Sequence, residues 1–358
     1  MKKLVALIAL VLVGTTLTGC GVVRSITCMN KEKLALFNWG EYIDPALIKA
    51  FEKENDVCVT MSTFDSNESA ITKMKTQSFD LIIPSDYAVE QMVEEELLQT
   101  MDWSKITTFN RETDLASGLQ SILDNVEFDI LSYGVPYFWG NVGVLYNKDN
   151  VSLEILQAKE WEIFNEDLDI AFYDSSRDGF MVALKNLGYS MNTEEASELN
   201  EAENWLSDLA RKDNVVFLTD EILDDMVKLS YDIALTYSGD AIYLMSEQEK
   251  LGFYVPTTGT NVWVDTMVIP KNAKNTDLAY AFINFMLTYD SQMANTEYVM
   301  YTTVRQDVYT ELITEGSDFY EYVDAYNVVI HTNDEVYGYN AVTKTFMSDA
   351  WARIRVLS

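Results

Sequence analysis

Short apolar runs and amphipathic stretches take turns along this chain in two separate blocks, and few architectures accept that order. The first block opens with "LALFNW" (34–39), a compact strand candidate. "DPALIKAFEKEN" follows, with Asp44 placed to cap a helix and Pro45 in its first turn. Ala46, Leu47, Ala50 and Phe51 recur at helical spacing and predict its apolar stripe. "VCVTMSTF" reads as a strand, "NESAITKMKT" as a helix, "FDLIIPS" as a doubly buried strand and "VEQMVEEELL" as a third helix. The second block repeats the rhythm with "DIAFYD" (169–174) and "GFMVALKNLGYS", a helix that Gly188 is placed to stop. A long helix over 195–211 and then "VVFLT", "EILDDMVKLS" and "DIALTYSG" complete it. Between the blocks lies the aromatic and glycine-bearing "YGVPYFWGNVGVLYN" (133–147). After them come "WVDTMVIP" (263–270), the amphipathic helix "NTDLAYAFINFMLTYD" and a mixed C-terminal region. Strands alternating with helices imply βα units and an α/β fold with mostly parallel sheets.

The N-terminus carries a different signal. Lys2 and Lys3 precede the apolar run "LVALIALVLVG", and "LTGC" follows. A charged start, an apolar centre and small residues at the cut describe an export signal. The run falls well short of the roughly 20 residues a bilayer crossing needs. "LTGC" (Leu17–Cys20) resembles the bacterial lipobox, in which cleavage falls before the cysteine and its thiol is lipidated. That resemblance implies a lipoprotein signal peptide at 1–19, lipid on Cys20 and a tether over 20–33. The product would be an extracytoplasmic protein anchored to the cell membrane, on its periplasmic face or at the outer cell surface. An ordinary secretory signal is the alternative reading. Without residues 1–19, 339 of the 358 residues remain, more than one hydrophobic core usually holds, so two lobes are expected.

Composition removes several classes of function. With 57 acidic and 25 basic side chains the formal charge is −32, and losing Lys2 and Lys3 takes it to −34. A nucleic-acid partner calls for the opposite sign. An acidic surface attracts cations at long range. Runs such as Glu94, Glu95 and Glu96 are nevertheless ordinary solvated surface. The single histidine, His331, rules out a multi-histidine zinc site, and no phosphate-cradling glycine motif or HExxH motif occurs. Neither a cofactor nor a metal is expected. Cys28 and Cys58 stand in no metal-type spacing; they pair in an oxidising compartment or remain free thiols.

In open parallel sheets, ligands bind beyond the carboxyl ends of the strands. That rule selects Asn38, Trp39 and Tyr42 after the first strand, and Ser85, Asp86 and Tyr87 after the third. It selects Ser175 and Asp178 after "DIAFYD", and Tyr237 and Asp240 after "DIALTY". Trp263 and Asp265, two apart in a strand, point to the same side. Rings and carboxylates recur at these strand ends. Arg177 is the one basic side chain nearby, placed to hold a carboxylate. Structural alternatives exist for Trp39 as core, and for Asp178 and Ser85 as helix N-caps.

"LFNWGEYID", "FDLIIPSDY", "LKNLGYS" and "WVDTMVIPKNAKN", in that order over about 34–305, resemble the spermidine/putrescine-binding proteins of bacterial ABC transporters. The resemblance implies a two-lobe, type II periplasmic-binding-protein-like fold, each lobe a mostly parallel sheet flanked by helices, with the ligand in the cleft between them. Lobe 1 would hold 34–137 and 265–304, and lobe 2 would hold 138–264 and 305–358. Hinges would lie near "VPYFWGN", near 260–265 and after Tyr301. Carried over by position, Trp39 and Tyr42 match the first-lobe aromatics, and Ser85 and Tyr87 the PS-x-Y pair. Asp178 matches an acidic amine ligand, Trp263 and Asp265 the W-x-D pair, and Tyr301 a further pocket aromatic. Ser175 replaces an acid of close relatives, Tyr237 stands where they often carry Trp, and Tyr337 is the nearest counterpart of a pocket glutamine. One fewer carboxylate points to a shorter amine unless Asp174 or Asp86 compensates.

The implied protein is a binding component rather than an enzyme. It would act as a monomer, capture putrescine or spermidine by hinge closure and deliver it to a membrane permease. The pattern suits such ligands: ammonium groups need paired charge when desolvated, and methylene runs need aromatic flanks that tolerate cations. Rival readings are the same fold around another organic cation or small solute, a hydrolase using two carboxylates such as Asp178 and Asp265, and an adhesin without a small ligand.

Overall fold

The computed structural model describes residues 28–317 and 319–358. The signal segment, Cys20 and most of the tether therefore lie outside the described residues. The first block forms β1 (Lys33–Trp39), α1 (Pro45–Asn55), β2 (Cys58–Phe64), α2 (Asn67–Met74), β3 (Leu81–Ile82) and α3 (Asp86–Glu94), followed by α4 (Ser117–Leu123). A long strand, β4 (Gly134–Asn147), leads into the second block. That block comprises α5 (Leu153–Lys159), β5 (Ile170–Tyr173), α6 (Ser176–Leu187), α7 (Ala196–Ala210), β6 (Val215–Leu218), α8 (Glu221–Val227), β7 (Ile233–Tyr237), α9 (Ser238–Glu247) and β8 (Leu251–Tyr254). The chain then returns through β9 (Val262–Val268), α10 (Thr276–Met286), α11 (Tyr289–Val299), β10 (Thr302–Thr303), α12 (Gln306–Leu312) and α13 (Val323–Tyr326), and ends in α14 (Ala341–Ile354).

Strand order is β2-β1-β3-β9-β4-β7-β5-β6, with β8 and β10 also paired to β4. Two parallel wings, β2-β1-β3 and β7-β5-β6, are joined by the antiparallel pair β9 and β4. β4 serves both wings. Its first part pairs with β9, and from Val142 onward it pairs with β7. All fourteen of its residues are buried, which accounts for the unbroken apolar and aromatic run in the sequence. The three expected hinge segments fall on β4, on β9 and at β10, which are neighbours in the sheet.

Local signals explain most element ends. The Asp44 carboxylate accepts from the Ala46 amide at 2.7 Å and caps α1, with Pro45 in the first turn. Gly188 takes a left-handed φ of 81° and closes α6, a conformation that costs any residue with a Cβ. Three expectations shift. The buried residues of α1 are Leu47, Ile48 and Phe51, so the stripe is rotated away from Ala46 and Ala50. "FDLIIPS" contributes only Leu81 and Ile82 as ladder strand, because Pro84 has no amide to donate; its carbonyl still accepts from Thr266. α3 starts at Asp86, three residues before the expected Val89, with Ser85 at its N-cap.

Cys28 and Cys58 are joined in a disulfide that fastens the segment before β1 to the start of β2. The C-terminal region packs on the second block, with α14 against α6 and α7. An ion pair between the buried Lys185 and the half-buried Glu335 anchors the segment before it. Among the described residues, no helix is long and apolar enough to cross a membrane.

A loop of 30 residues closed by a disulfide is worth about 3–4 kcal/mol in chain entropy. Reduction, or Cys58→Ala, should therefore lower the thermal midpoint by several degrees while leaving solute affinity within about twofold. Equal midpoints in the oxidised and reduced protein would contradict a stabilising role for this bond.

Candidate ligand-binding site

The carboxyl ends of β1, β5 and β7 and the N-termini of α3 and α6 converge on a cavity of about 820 Å³. Trp39, Asn67, Glu68, Asp86, Tyr87 and Glu90 line it from the first block. Tyr173, Ser175, Arg177 and Tyr237 line it from the second, with Tyr337 from the C-terminal segment. Three polar contacts cross its rim. Lys344 pairs with Glu68 at 3.0 Å and donates to Gln91 at 2.8 Å, and the Tyr339 amide donates to Glu90 at 2.6 Å.

A chain of rings runs from this lining into the layer behind it. Tyr173 meets Tyr237 edge-on at 5.4 Å, Tyr237 meets Trp263 at 6.1 Å, Trp263 meets Tyr301 at 5.1 Å and Tyr301 meets Tyr42 at 5.6 Å. Tyr137 and Phe138 of β4 support Tyr42 from below. Two glycines make the approach feasible. A Cβ at Gly140 would lie 2.7 Å from the Trp263 ring, and one at Gly239 would lie 2.3 Å from Tyr301. Edge-on rings present negative faces at right angles to one another, a surface suited to cations and methylenes alike.

Carboxylates are set into this cage. Asp265 is only 6 % exposed, and its Oδ1 has no hydrogen-bond partner among the described residues. Burial raises its pKa to about 6, although the nearby Tyr42 and Ser85 hydroxyls pull it back. Asp86 is held by two amides, accepting from Tyr87 N at 2.6 Å and from Val264 N at 2.9 Å. Burial still pushes it to about 7, and the neighbouring Asp265 charge adds to the rise. Asp178 accepts from the Tyr237 hydroxyl at 2.8 Å, and Asp240 from Tyr301 at 2.9 Å. Asp240 is raised to about 6 by burial. Trp39 Nε1 and Trp263 Nε1 are likewise shielded and unpartnered. A native interior rarely leaves so many polar atoms unmatched in one place.

All nine expected residues lie at this locus, in two layers. Trp39, Tyr87 and Tyr237 line the cavity; Tyr42, Ser85, Asp178, Trp263, Asp265 and Tyr301 lie behind the lining. The capping alternatives resolve differently. Ser175, not Asp178, caps α6, its Oγ accepting from the Asp178 amide. Ser85 occupies an N-cap position but makes no capping bond, its Oγ accepting instead from Asn67 at 3.1 Å. Asp174 is engaged by Trp351 and Arg355, so it does not replace the acid that Ser175 lacks. Among the described residues Arg177 forms no ion pair with a carboxylate; its guanidinium carbon stands 3.8 Å from the centre of the Tyr87 ring. Asn67, 1 % exposed, stands three residues past β2 and satisfies the strand-end rule although it is not among the expected residues; it also donates to the Tyr87 hydroxyl at 2.9 Å. Tyr173, the last residue of β5, satisfies that rule and was overlooked beside Asp174.

The profile of the bacterial extracellular solute-binding proteins matches residues 46–321, more than three quarters of the chain. The chain belongs to this family. It is a solute-binding protein rather than an enzyme, and the two-carboxylate hydrolase reading falls away. It is 31% identical over 280 residues to the spermidine/putrescine-binding periplasmic protein of Salmonella typhimurium, covering 76% of this chain and 78% of the relative. Among solved structures it is similar to the spermidine/putrescine ABC transporter substrate-binding protein PotD of Streptococcus pneumoniae, at 33% identity and a TM-score of 0.74. That match covers 91% of this chain and 99% of the other. It is also similar to the TpPotD lipoprotein of Treponema pallidum, at 25% identity and a TM-score of 0.77, covering 91% and 100%. The two-lobe α/β fold of this solute-binding protein is the fold of those neighbours.

The raised carboxylates make the solute-binding protein sensitive to pH when no solute is bound. A carboxyl whose folded pKa of about 6 or 7 exceeds its unfolded value of about 4 favours the fold at low pH. Its contribution is complete below about 4 and is lost as pH rises through 6 and 7. Asp86→Asn should therefore lose less thermal stability between about pH 5 and pH 8 than the parent. Parallel melting curves across that range would reject this assignment.

Proposed function

We propose that this solute-binding protein is the capture component of an ABC importer for polyamines. Putrescine or spermidine would bind in the cleft between lobe 1 (34–137 and 265–304) and lobe 2 (138–264 and 305–358). The observation that carries the reading is the unpartnered Oδ1 of Asp265, buried in a cage of Tyr42, Trp263 and Tyr301. A desolvated carboxylate among rings is matched by an ammonium on a methylene chain. Asp178 and Asp86 supply further acceptors, and Trp39, Tyr87 and Tyr237 line the cavity for the methylenes. The similar spermidine/putrescine-binding proteins support the amine class and the coupling to an ABC transporter.

Binding would follow from differential contact. A solute touching both walls stabilises the closed cleft over the open one, together with the Lys344–Glu68 and Tyr339–Glu90 contacts at the rim. The closed form would then be read by the permease. Another organic cation is the second reading, and titration separates the two.

Calorimetric titration of the full-length protein in detergent with putrescine, spermidine and spermine should give binding to at least one of them. Absence of heat from all three would reject the amine class. Asp265→Asn should weaken that binding by about 10- to 100-fold, the worth of a hydrogen bond to a charged group, with little change in folding. Undiminished affinity in this variant would remove Asp265 from the site.

Cys20 is proposed as the lipidated residue that tethers the monomer to the membrane, a reading supported by "LTGC" and by the lipoprotein relative of Treponema pallidum. Cys20→Ala should move the protein from the detergent phase to the aqueous phase on phase separation. Retention in the detergent phase would exclude this anchor.

A further inference from the structure

The C-terminal segment before α14 is fastened to the second block along one side. Asn192 donates to the Val336 carbonyl at 2.9 Å and accepts from the Gly338 amide at 2.9 Å. The Tyr337 hydroxyl donates to the Arg177 carbonyl at 2.5 Å, and the Asn340 amide group donates to Glu194 at 2.7 Å. Asn340 also caps α14, accepting from the Val342 and Thr343 amides at 2.9 Å, which holds the first turn of that helix in place.

The other side of the segment reaches over the cavity to the first block. The Tyr339 amide donates to Glu90 of α3 at 2.6 Å. Lys344, one turn into α14, sends its ammonium to Glu68 of α2 at 3.0 Å and to Gln91 of α3 at 2.8 Å. One positive charge thus holds two helices of the opposite wall. Gln91 is oriented to receive it: its Nε2 donates to Glu95 at 2.9 Å, which leaves Oε1 for Lys344. Gln91 is buried, whereas the side chains of Lys344 and Glu68 are 30% and 52% exposed, so the ion pair is open to screening by salt. These bonds join opposite sides of the cavity, and a few ångströms of separation at the mouth breaks them all.

We propose that Lys344 is a positioning residue that clasps the mouth of the cleft and sets how long a solute stays, without recognising the solute. The proposal rests on the capture reading above, in which the solute lies between the two walls. The ammonium is engaged by Glu68 and Gln91, so its effect passes through the walls it joins. Contacts made only when the mouth is shut favour the closed form, and they are felt in the rate of release more than in the rate of encounter.

The test is stopped-flow kinetics of the full-length protein in detergent with putrescine and with spermidine, at low and high salt. Lys344→Met should speed release about three- to thirtyfold, the range spanned by an exposed ion pair and a hydrogen bond to a charged group. Association should stay within about twofold, and the solute-free thermal midpoint within about 2 °C. Lys344→Arg should restore most of the parental residence time. Salt should hasten release from the parent more than from Lys344→Met. Glu68→Gln should hasten release in the parent but add little to Lys344→Met, because either change breaks the same pair. Unchanged release from Lys344→Met would overturn the proposal. So would faster association with tighter binding, which would make Lys344 a charge that repels cations at the entrance. Additive effects of the two substitutions would also overturn it, by making Glu68 a ligand of the solute. If neither amine binds the parent, the polyamine reading fails, and the clasp is decided by spin labels at the exposed Gln77 and Asp349 in the solute-free protein. Lys344→Met should then lengthen the distance between the labels, and an unmoved distance would overturn the clasp.

Discussion

A carboxylate sunk among aromatic rings needs a positive charge beside it, and the arrangement around Asp265 is built on that need. Burial alone costs the ionised form several kcal/mol. The protein reduces this cost only in part, by setting the Tyr42 and Ser85 hydroxyls beside it. The remaining deficit is what a cationic solute can satisfy. Asp86 repeats the theme with its charge shared between two backbone amides, one from α3 and one from β9. That pair of bonds also fixes the distance between the Tyr87 wall and the strand that carries Trp263 and Asp265. Electrostatics and architecture are thus one device: the acid that lines the cleft also positions the strand behind it.

Much of this was legible in the chain itself. The alternation of strands and helices implied the α/β wings, and two-residue spacing placed Trp263 with Asp265 on one side of β9. The strand-end rule collected Trp39, Tyr87 and Tyr237 without reference to any relative. These signals are local, and local spacing survives folding.

The illegible part is of a different kind. Whether Asp178 caps α6 or faces the site depends on which of two residues three apart takes the N-cap, and Ser175 takes it, its hydroxyl oxygen accepting the amide hydrogen bond that a carboxylate could also accept. Arg177 was expected to hold a carboxylate because opposite charges attract; its actual partner is a ring 90 positions earlier in the chain, which no window reveals. Asn67 and the second bond of Asp86 are likewise contacts between distant segments. The shortening of "FDLIIPS" is an intermediate case. Pro84 announces the missing donor, yet only the neighbouring β9 shows that its carbonyl remains in use.

The passage of β4 through both wings has a mechanical corollary. Since a single unbroken strand is laddered to β9 along one stretch and to β7 along the next, no loose connection separates the halves at that point. Relative displacement has to be distributed as small torsions along a twisted ribbon, which stores elastic resistance instead of yielding at one joint. Along that ribbon Phe138 is paired with Asp265, and Gly140 with Trp263. The side chains of Trp263 and Asp265 are thereby seated in the ladder that joins the two wings, not on a loop beside it.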